Sequence, residues 1–73
     1  MTLDDLLKQA DSLKLAGKHD EAIALANKMI LMDMEYVEAY EEIGDNYLSL
    51  REYDRATKAL KHALKIRPKS PNA

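Results

Sequence analysis

Apolar residues recur three and four positions apart along almost the whole chain, in four stretches separated by short polar breaks. Leu3, Leu6, Leu7, Ala10 and Leu13 form the first stripe, the spacing that places side chains on one face of an α-helix. Thr2 stands just before it as a candidate N-cap, with Asp4 and Asp5 suited to the positive end of the helix. Gly17 predicts the stop, because glycine enters the left-handed C-terminal turn without a steric cost. Asp20 and Glu21 open a second stretch whose inward face reads Ala22, Ile23, Leu25, Ala26, Met29 and Ile30, and Asp33 begins the next break. The third stretch runs from about Val37 to Leu50, with Tyr40, Ile43, Gly44 and Tyr47 on one side. The fourth runs from about Tyr53 to Ile66, with Ala56, Leu60, Ala63 and Leu64 inward, and Pro68 and Pro71 stop it. Nothing alternates with a strand period. Four helices joined by such short connections lie antiparallel to their neighbours, so the expected fold is all-α.

The four helices fall into two pairs related by a fixed stride of 34 residues. Leu6 matches Tyr40, Ala10 matches Gly44, Leu13 matches Tyr47, Asp20 matches Asp54 and Ala22 matches Ala56. Further on, Ala26 matches Leu60, Ile30 matches Leu64 and Met32 matches Ile66. Identity is low, but apolar pairs with apolar without a gap, the mark of a stacked repeat array.

In residues 37–70 the residues Tyr40, Ile43, Gly44, Tyr47, Ala56, Leu60, Ala63 and Pro68 stand at the places of the W-x2-L-G-x2-Y, A-x3-F and P pattern. The chain therefore resembles the tetratricopeptide repeat family, and the resemblance covers nearly all of it. Residues 3–36 fit through Leu6, Ala10, Leu13 and Ala22. Gln9, Ala26 and Met34 replace the usual Leu, Phe and Pro there, which predicts a weaker grip between the first two helices. The resemblance implies one domain over residues 1–73, a fragment of a right-handed α-solenoid, with repeat one at 3–36, repeat two at 37–70 and a tail at 71–73. Gly44 and Ala56 are the small residues that let paired helices pass close together.

Composition narrows the chemistry. Seventy-three residues form one small domain that buries only about 60% of the surface its unfolded chain exposes. There is no cysteine, hence no disulfide or thiolate metal site to staple it. With 33% charged and 47% hydrophobic residues the chain reads as helical and soluble. No apolar run approaches the ~20 residues of a membrane span, and the acidic start MTLDDLLK lacks the basic region of a secretory signal, so the cytoplasm is the expected compartment. The net charge of -2 conceals an uneven distribution. Residues 1–50 carry four lysines against eleven acids, and residues 51–73 carry seven cations against two acids. Such an imbalance favours head-to-tail contact between copies.

No catalytic, cofactor or metal site is expected. The two histidines sit in different repeats: His19 reads as a packing residue at the place of Tyr53, and His62 lies outward among Lys58, Lys61 and Lys65, where positive charge opposes a metal. No paired-histidine motif, phosphate loop or nucleophile elbow is present. The cations of the fourth helix carry only Tyr53 as an aromatic and match no nucleic-acid motif, which leaves nucleic acid an unfavoured partner.

Resemblance to the family implies instead an adaptor or scaffold, whose leading helices line a concave groove that holds a peptide or a partner helix. Carried onto this chain, the groove residues are Asp4, Leu7, Lys8, Asp11 and Lys14 from the first repeat. From the second they are Glu38, Glu41, Glu42, Asp45, Leu48 and Ser49. Six acids against two lysines make the groove negative and suited to a basic or apolar segment. Relatives that clamp the acidic tails of heat-shock chaperones carry Lys, Arg and Asn at such places, where this chain has Leu7, Asp11, Glu41, Glu42 and Asp45; no binding of that kind is expected.

The alternative is self-assembly through an uncapped last helix, with Tyr53, Leu60 and Leu64 as the association surface. Met29, Leu31, Met32 and Met34 add adaptable apolar surface near the repeat junction, and KSPNA after Pro68 reads as a connector toward a third repeat. Three states stay open: a piece of a longer array, a homo-oligomer, or a marginal monomer. The first two are favoured, because exposed apolar helix faces seek partners.

Overall fold

The computed structural model describes residues 2–67. Within them the chain forms α1 (Leu3–Leu15), α2 (His19–Met32), α3 (Val37–Ser49) and α4 (Tyr53–Ile66), packed as two antiparallel hairpins, with α2 and α1 lying against α3. The expected stop at Pro68 and Pro71, the end of repeat two and the tail lie outside the described residues.

Local chemistry sets the helix ends. Thr2 caps α1 in a capping box: its side chain accepts from the Asp5 N–H at 3.2 Å, and Asp5 accepts from the Thr2 N–H at 3.3 Å. Those bonds hold the exposed Asp5 carboxyl below its usual range, the backbone bond to Thr2 contributing most. Gly17 ends α1 with φ 79°, while the Lys18 N–H reaches the Leu13 carbonyl at 2.8 Å and the Gly17 N–H reaches that of Lys14. Asp33 closes α2, and its carboxylate accepts from the Glu35 N–H to shape the turn into α3.

Helix α3 stops one residue before the expected Leu50, and its stop is not made by a glycine. Arg51, one stride after Gly17, adopts φ 63°. The Glu52 N–H bonds to Tyr47 O at 2.9 Å and the Arg51 N–H to Leu48 O at 3.0 Å. The turn of the first repeat is thus rebuilt on an arginine, against the left-handed strain an L side chain carries.

The core runs through Leu6, Ala10, Ile23, Ala26 and Met29 of the first hairpin and Ala39 and Ile43 of α3, with Leu3, Leu7, Ile30, Tyr36, Tyr47 and Ala59 packed around it. The inward faces read from the sequence are those that pack, except at Leu64, which is 46% exposed. Burial is most extensive on α3, which packs against the first hairpin on one side and α4 on the other. Ala26 is fully buried beside Ala10, whereas Leu60, its counterpart, approaches Gly44 so closely that a Cβ there would lie 2.6 Å from Leu60 Cδ2. Met29 belongs to this core and is not adaptable surface, in contrast to the exposed Leu31, Met32 and Met34.

Candidate protein-interaction surfaces

Helices α1 and α3 lie side by side, and their shared outer wall carries most of the residues expected in a groove. Its centre is Lys14. The ammonium stands 3.5 Å from Asp45 Oδ2, 3.6 Å from Glu42 Oε1 and 3.7 Å from Asp11 Oδ1. Burial works against its charge, but Glu42, Asp45 and Asp11 outweigh burial and hold the lysine above its usual range. One cation thus ties α1 to α3 among three carboxylates, and the wall stays negative. Asp4 is exposed, and Asp11 and Asp45 are each about half exposed, while Glu38 makes a 3.9 Å ion pair with Arg67 from the end of α4. Tyr36 lies half-buried beside these acids. Burial first, then Glu38, Asp4, Asp11 and Asp33, raise its phenol.

Four expected groove residues belong elsewhere. Glu42 is only 4% exposed. Its counterpart Lys8 faces outward on α1, but in α3 the same side meets the first hairpin. Burial foremost, then the hydrogen bond that protonated Glu42 donates to the neighbouring Asp11 carboxylate, push Glu42 up to about 7, with Lys14 opposing them. Leu7 packs half-buried against the core. Glu41 stands one register place after Leu7 and lines the opposite side of α3, in a groove toward α4. Lys8 is exposed with Gln9 and Ser12 on the side of α1 away from α3 and so also lies outside the wall. Leu48 and Ser49 are exposed. Leu15, 85% exposed at the end of α1, went unnoticed in the sequence; its stride partner Ser49 was the available signal.

Behind Glu42 lies a polar chain that sequence patterning does not show. Asn46, fully buried, donates from Nδ2 to the Glu42 carbonyl at 2.7 Å and lies 3.4 Å from Glu42 Oε1. Its Oδ1 meets His19 Nδ1 at 2.8 Å, so His19 donates there. His19 is therefore a hydrogen-bonding joint from α2 to α3 and not simply packing. His62 is outward but stacks on Tyr40, with ring centroids 4.2 Å apart and planes 8° from parallel, and the Tyr40 hydroxyl donates to the Met34 carbonyl at 3.2 Å.

The second surface lies between α3 and α4. Val37, Glu41, Leu60, Ala63, Leu64 and Arg67 line an open groove of about 340 Å³ between α3 and α4. Leu64 is 46% exposed and Tyr53 is exposed as well, as expected of an association surface, whereas Leu60 is half-buried against Gly44. Arg55 lies over the Tyr47 ring at 5.7 Å and pairs with Glu52 at 3.5 Å.

Two helical hairpins in fixed register, sharing one core across their junction, define an all-α hairpin-repeat protein. The chain belongs to the tetratricopeptide repeat family: that family's model matches residues 13–73. The match begins inside α1, after Gln9 and Ala10. No curated protein matches the chain. The family is a non-enzymatic protein-interaction repeat. Among the described residues no helix is long and apolar enough to cross a membrane.

Proposed function

We propose that this chain is a cytoplasmic adaptor or scaffold, built of one repeat at 3–36 and one at 37–70, whose α1–α3 wall takes up a basic or apolar segment of another protein. The observation that carries this reading is the imbalance around Lys14, where one ammonium faces the half-exposed carboxylates of Asp11 and Asp45, with Asp4 and Glu38 beyond it. A wall of this sign attracts cations and repels acidic tails.

The test uses fluorescence anisotropy with an extended Lys/Leu peptide and an acidic C-terminal peptide on the 73-residue chain. The basic peptide is expected to bind, to weaken with salt, and to lose affinity about tenfold or more in the double variant Asp4→Lys/Asp45→Asn, with helicity checked by circular dichroism. Tight binding of the acidic peptide at physiological salt, blocked by that same variant, would reverse the assignment.

A second reading draws on the exposure of Tyr53 and Leu64, with copies associating through α4. Sedimentation at micromolar concentration separates the two readings. A dimer dispersed by Leu64→Asp supports association, and a monomer removes it.

A further inference from the structure

Glu42 is a carboxyl sealed behind a wall of exposed ones. It is 4% exposed, whereas Asp11 and Asp45 beside it are about half exposed. Its carboxyl is hydrogen-bonded to that of Asp11 across the joint between α1 and α3. Such a bond needs a proton, because two ionised carboxylates offer acceptors and no donor. The ammonium of Lys14 lies 3.6 Å from Glu42 and 3.7 Å from Asp11, and Asp45 shares it at 3.5 Å. One cation divided among three carboxyl groups leaves the buried member to keep its proton.

The other groups around Glu42 do not supply a second cation. On α1, Lys8 stands on the side away from α3. From α2, His19 reaches the carboxyl only through Asn46, whose Nδ2 lies 3.4 Å from Glu42 Oε1 and whose Oδ1 takes the His19 Nδ1 proton. The α4 cations Arg55 and Arg67 pair with Glu52 and Glu38. On α3 itself, Asp45 competes for Lys14, and Glu41 lines the opposite side of the helix.

The proton therefore sets the charge of the wall. While Glu42 keeps it, Lys14 faces two ionised acids; once it leaves for solvent, Lys14 faces three. A cation docked on the wall is attracted more strongly by the second form. Binding and proton release then favour each other by the same factor.

We infer that the Asp11–Glu42 pair is a proton-releasing element of the α1–α3 wall, so that a cationic segment docks with release of a proton and docks more tightly once the proton is gone. The device regulates the wall proposed above to receive a basic segment, and rests on that reading. Glu42 is held up at about 7, so affinity should rise as pH passes through neutrality. Even at the low end of what a nearby cation does to a carboxyl, a tenfold change in acidity, affinity rises about fivefold from pH 6 to pH 8.

The experiment is calorimetric titration of an extended Lys/Leu peptide, acetylated and amidated at its ends, onto the 73-residue chain. Buffers of differing ionisation enthalpy at constant ionic strength count the protons released. The expected result is about half a proton released per peptide at pH 6.5 and affinity about fivefold higher at pH 8 than at pH 6. Both effects should vanish in Glu42→Gln. They should vanish also in Asp11→Asn, which offers Glu42 a donor and serves if the first variant loses helicity. Carbon-13 titration of the Glu42 carboxyl should give a lower midpoint in the peptide complex than in the free chain. Binding without proton release, equal midpoints in the free and bound chains, or release that persists in both variants overturns the inference and leaves the wall reading standing. Absence of peptide binding at both pH values removes the wall reading and the inference with it.

Discussion

The two hairpins solve the same two problems with different residues. At the helix crossing, the first uses Ala10 against Ala26, while the second uses Gly44 against Leu60. Side-chain volume removed from one helix is returned on the other. At the turn leaving the leading helix, the first uses Gly17 and the second Arg51, with φ 79° and 63° and the same pair of backbone bonds. The repeat therefore conserves a distance and a backbone conformation, and identity drifts wherever a compensating partner exists. Burial is the property that does not carry over. Leu6 is 1% exposed, and its counterpart Tyr40 is half-buried, stacked on His62.

That inequality yields the largest expected effect. Leu6→Ala leaves a cavity in the shared core and is expected to cost about 2–5 kcal/mol. A small domain has roughly 5 kcal/mol or little more in total, so this variant should be largely unfolded by circular dichroism at 37 °C. Tyr40→Leu, which keeps an apolar body but gives up the stack and the bond to Met34 O, should remain folded. Equal midpoints in urea for both variants would show that burial is shared evenly between the hairpins.

Helix positions were legible because each has a chemical punctuation mark: Thr2 and Gly17 for α1, Asp33 for the end of α2, and the apolar stripes for the rest. Arg51 was not legible, since no local signal marks an arginine as left-handed; only its stride partner Gly17 does. Glu42 and Asn46 were misread or missed for a related reason. Both lie on the side of α3 that carries Ala39 and Ile43, and a polar residue on a buried stripe looks like a solvated one until its partner helix is placed. Their counterparts Lys8 and Ser12 lie on the uncovered face of α1, so the stride comparison pointed outward. Of the wall, the sign was readable from composition, but the pairing that partly neutralises it, Lys14 with three carboxylates, required the packing of α1 on α3.

Glu42 gives the next effect, and its sign is the reverse of an ordinary carboxylate. With its pKa raised to about 7 in the folded chain from 4.5, the folded state holds a proton that the unfolded state has released. The contribution of this group is complete below about pH 4.5 and is lost as pH rises toward 7. A shift of this kind corresponds to on the order of a few kcal/mol. Glu42→Gln keeps a donor toward Asp11 without the buried charge, so the variant should be more stable than the parent at pH 8 and similar to it at pH 5. Urea midpoints at the two pH values read this directly. A parent that gains stability from pH 5 to 8 with the same slope as the variant would locate the charge elsewhere.

The crossing comparison sharpens with Gly44. Adding a methyl there places it 2.6 and 2.7 Å from Leu60 Cδ2 and Cγ, so Leu60 must shift. Overpacking of about 1–3 kcal/mol is offset in part by the roughly 1 kcal/mol gained in helix propensity over glycine, and a net loss of up to about 2 kcal/mol is expected. In the background Gly44→Ala, the further change Leu60→Ala recreates the crossing of Ala10 with Ala26 and should cost less than Leu60→Ala alone. A double-mutant cycle with no coupling would mean that the two hairpins do not exchange volume across their crossings.

The smallest effect tests the turn. Arg51 holds φ 63°, a conformation that costs an L residue roughly 1–2 kcal/mol relative to the right-handed region. Glycine adopts it freely but is more disordered in the unfolded chain, which returns part of the gain. Arg51→Gly should therefore stabilise the chain by about 0.5–1 kcal/mol, a rise of roughly 2–8 °C in midpoint for a domain of this size. Gly17→Ala, the reverse change at the matching turn, should destabilise by a similar amount, since no atom lies within 4 Å of the position and only the backbone resists. Opposite signs at residues 17 and 51 would show that one turn geometry is imposed on both hairpins by the packing of the helices it joins. Equal signs would mean that Arg51 is held by contacts of its own.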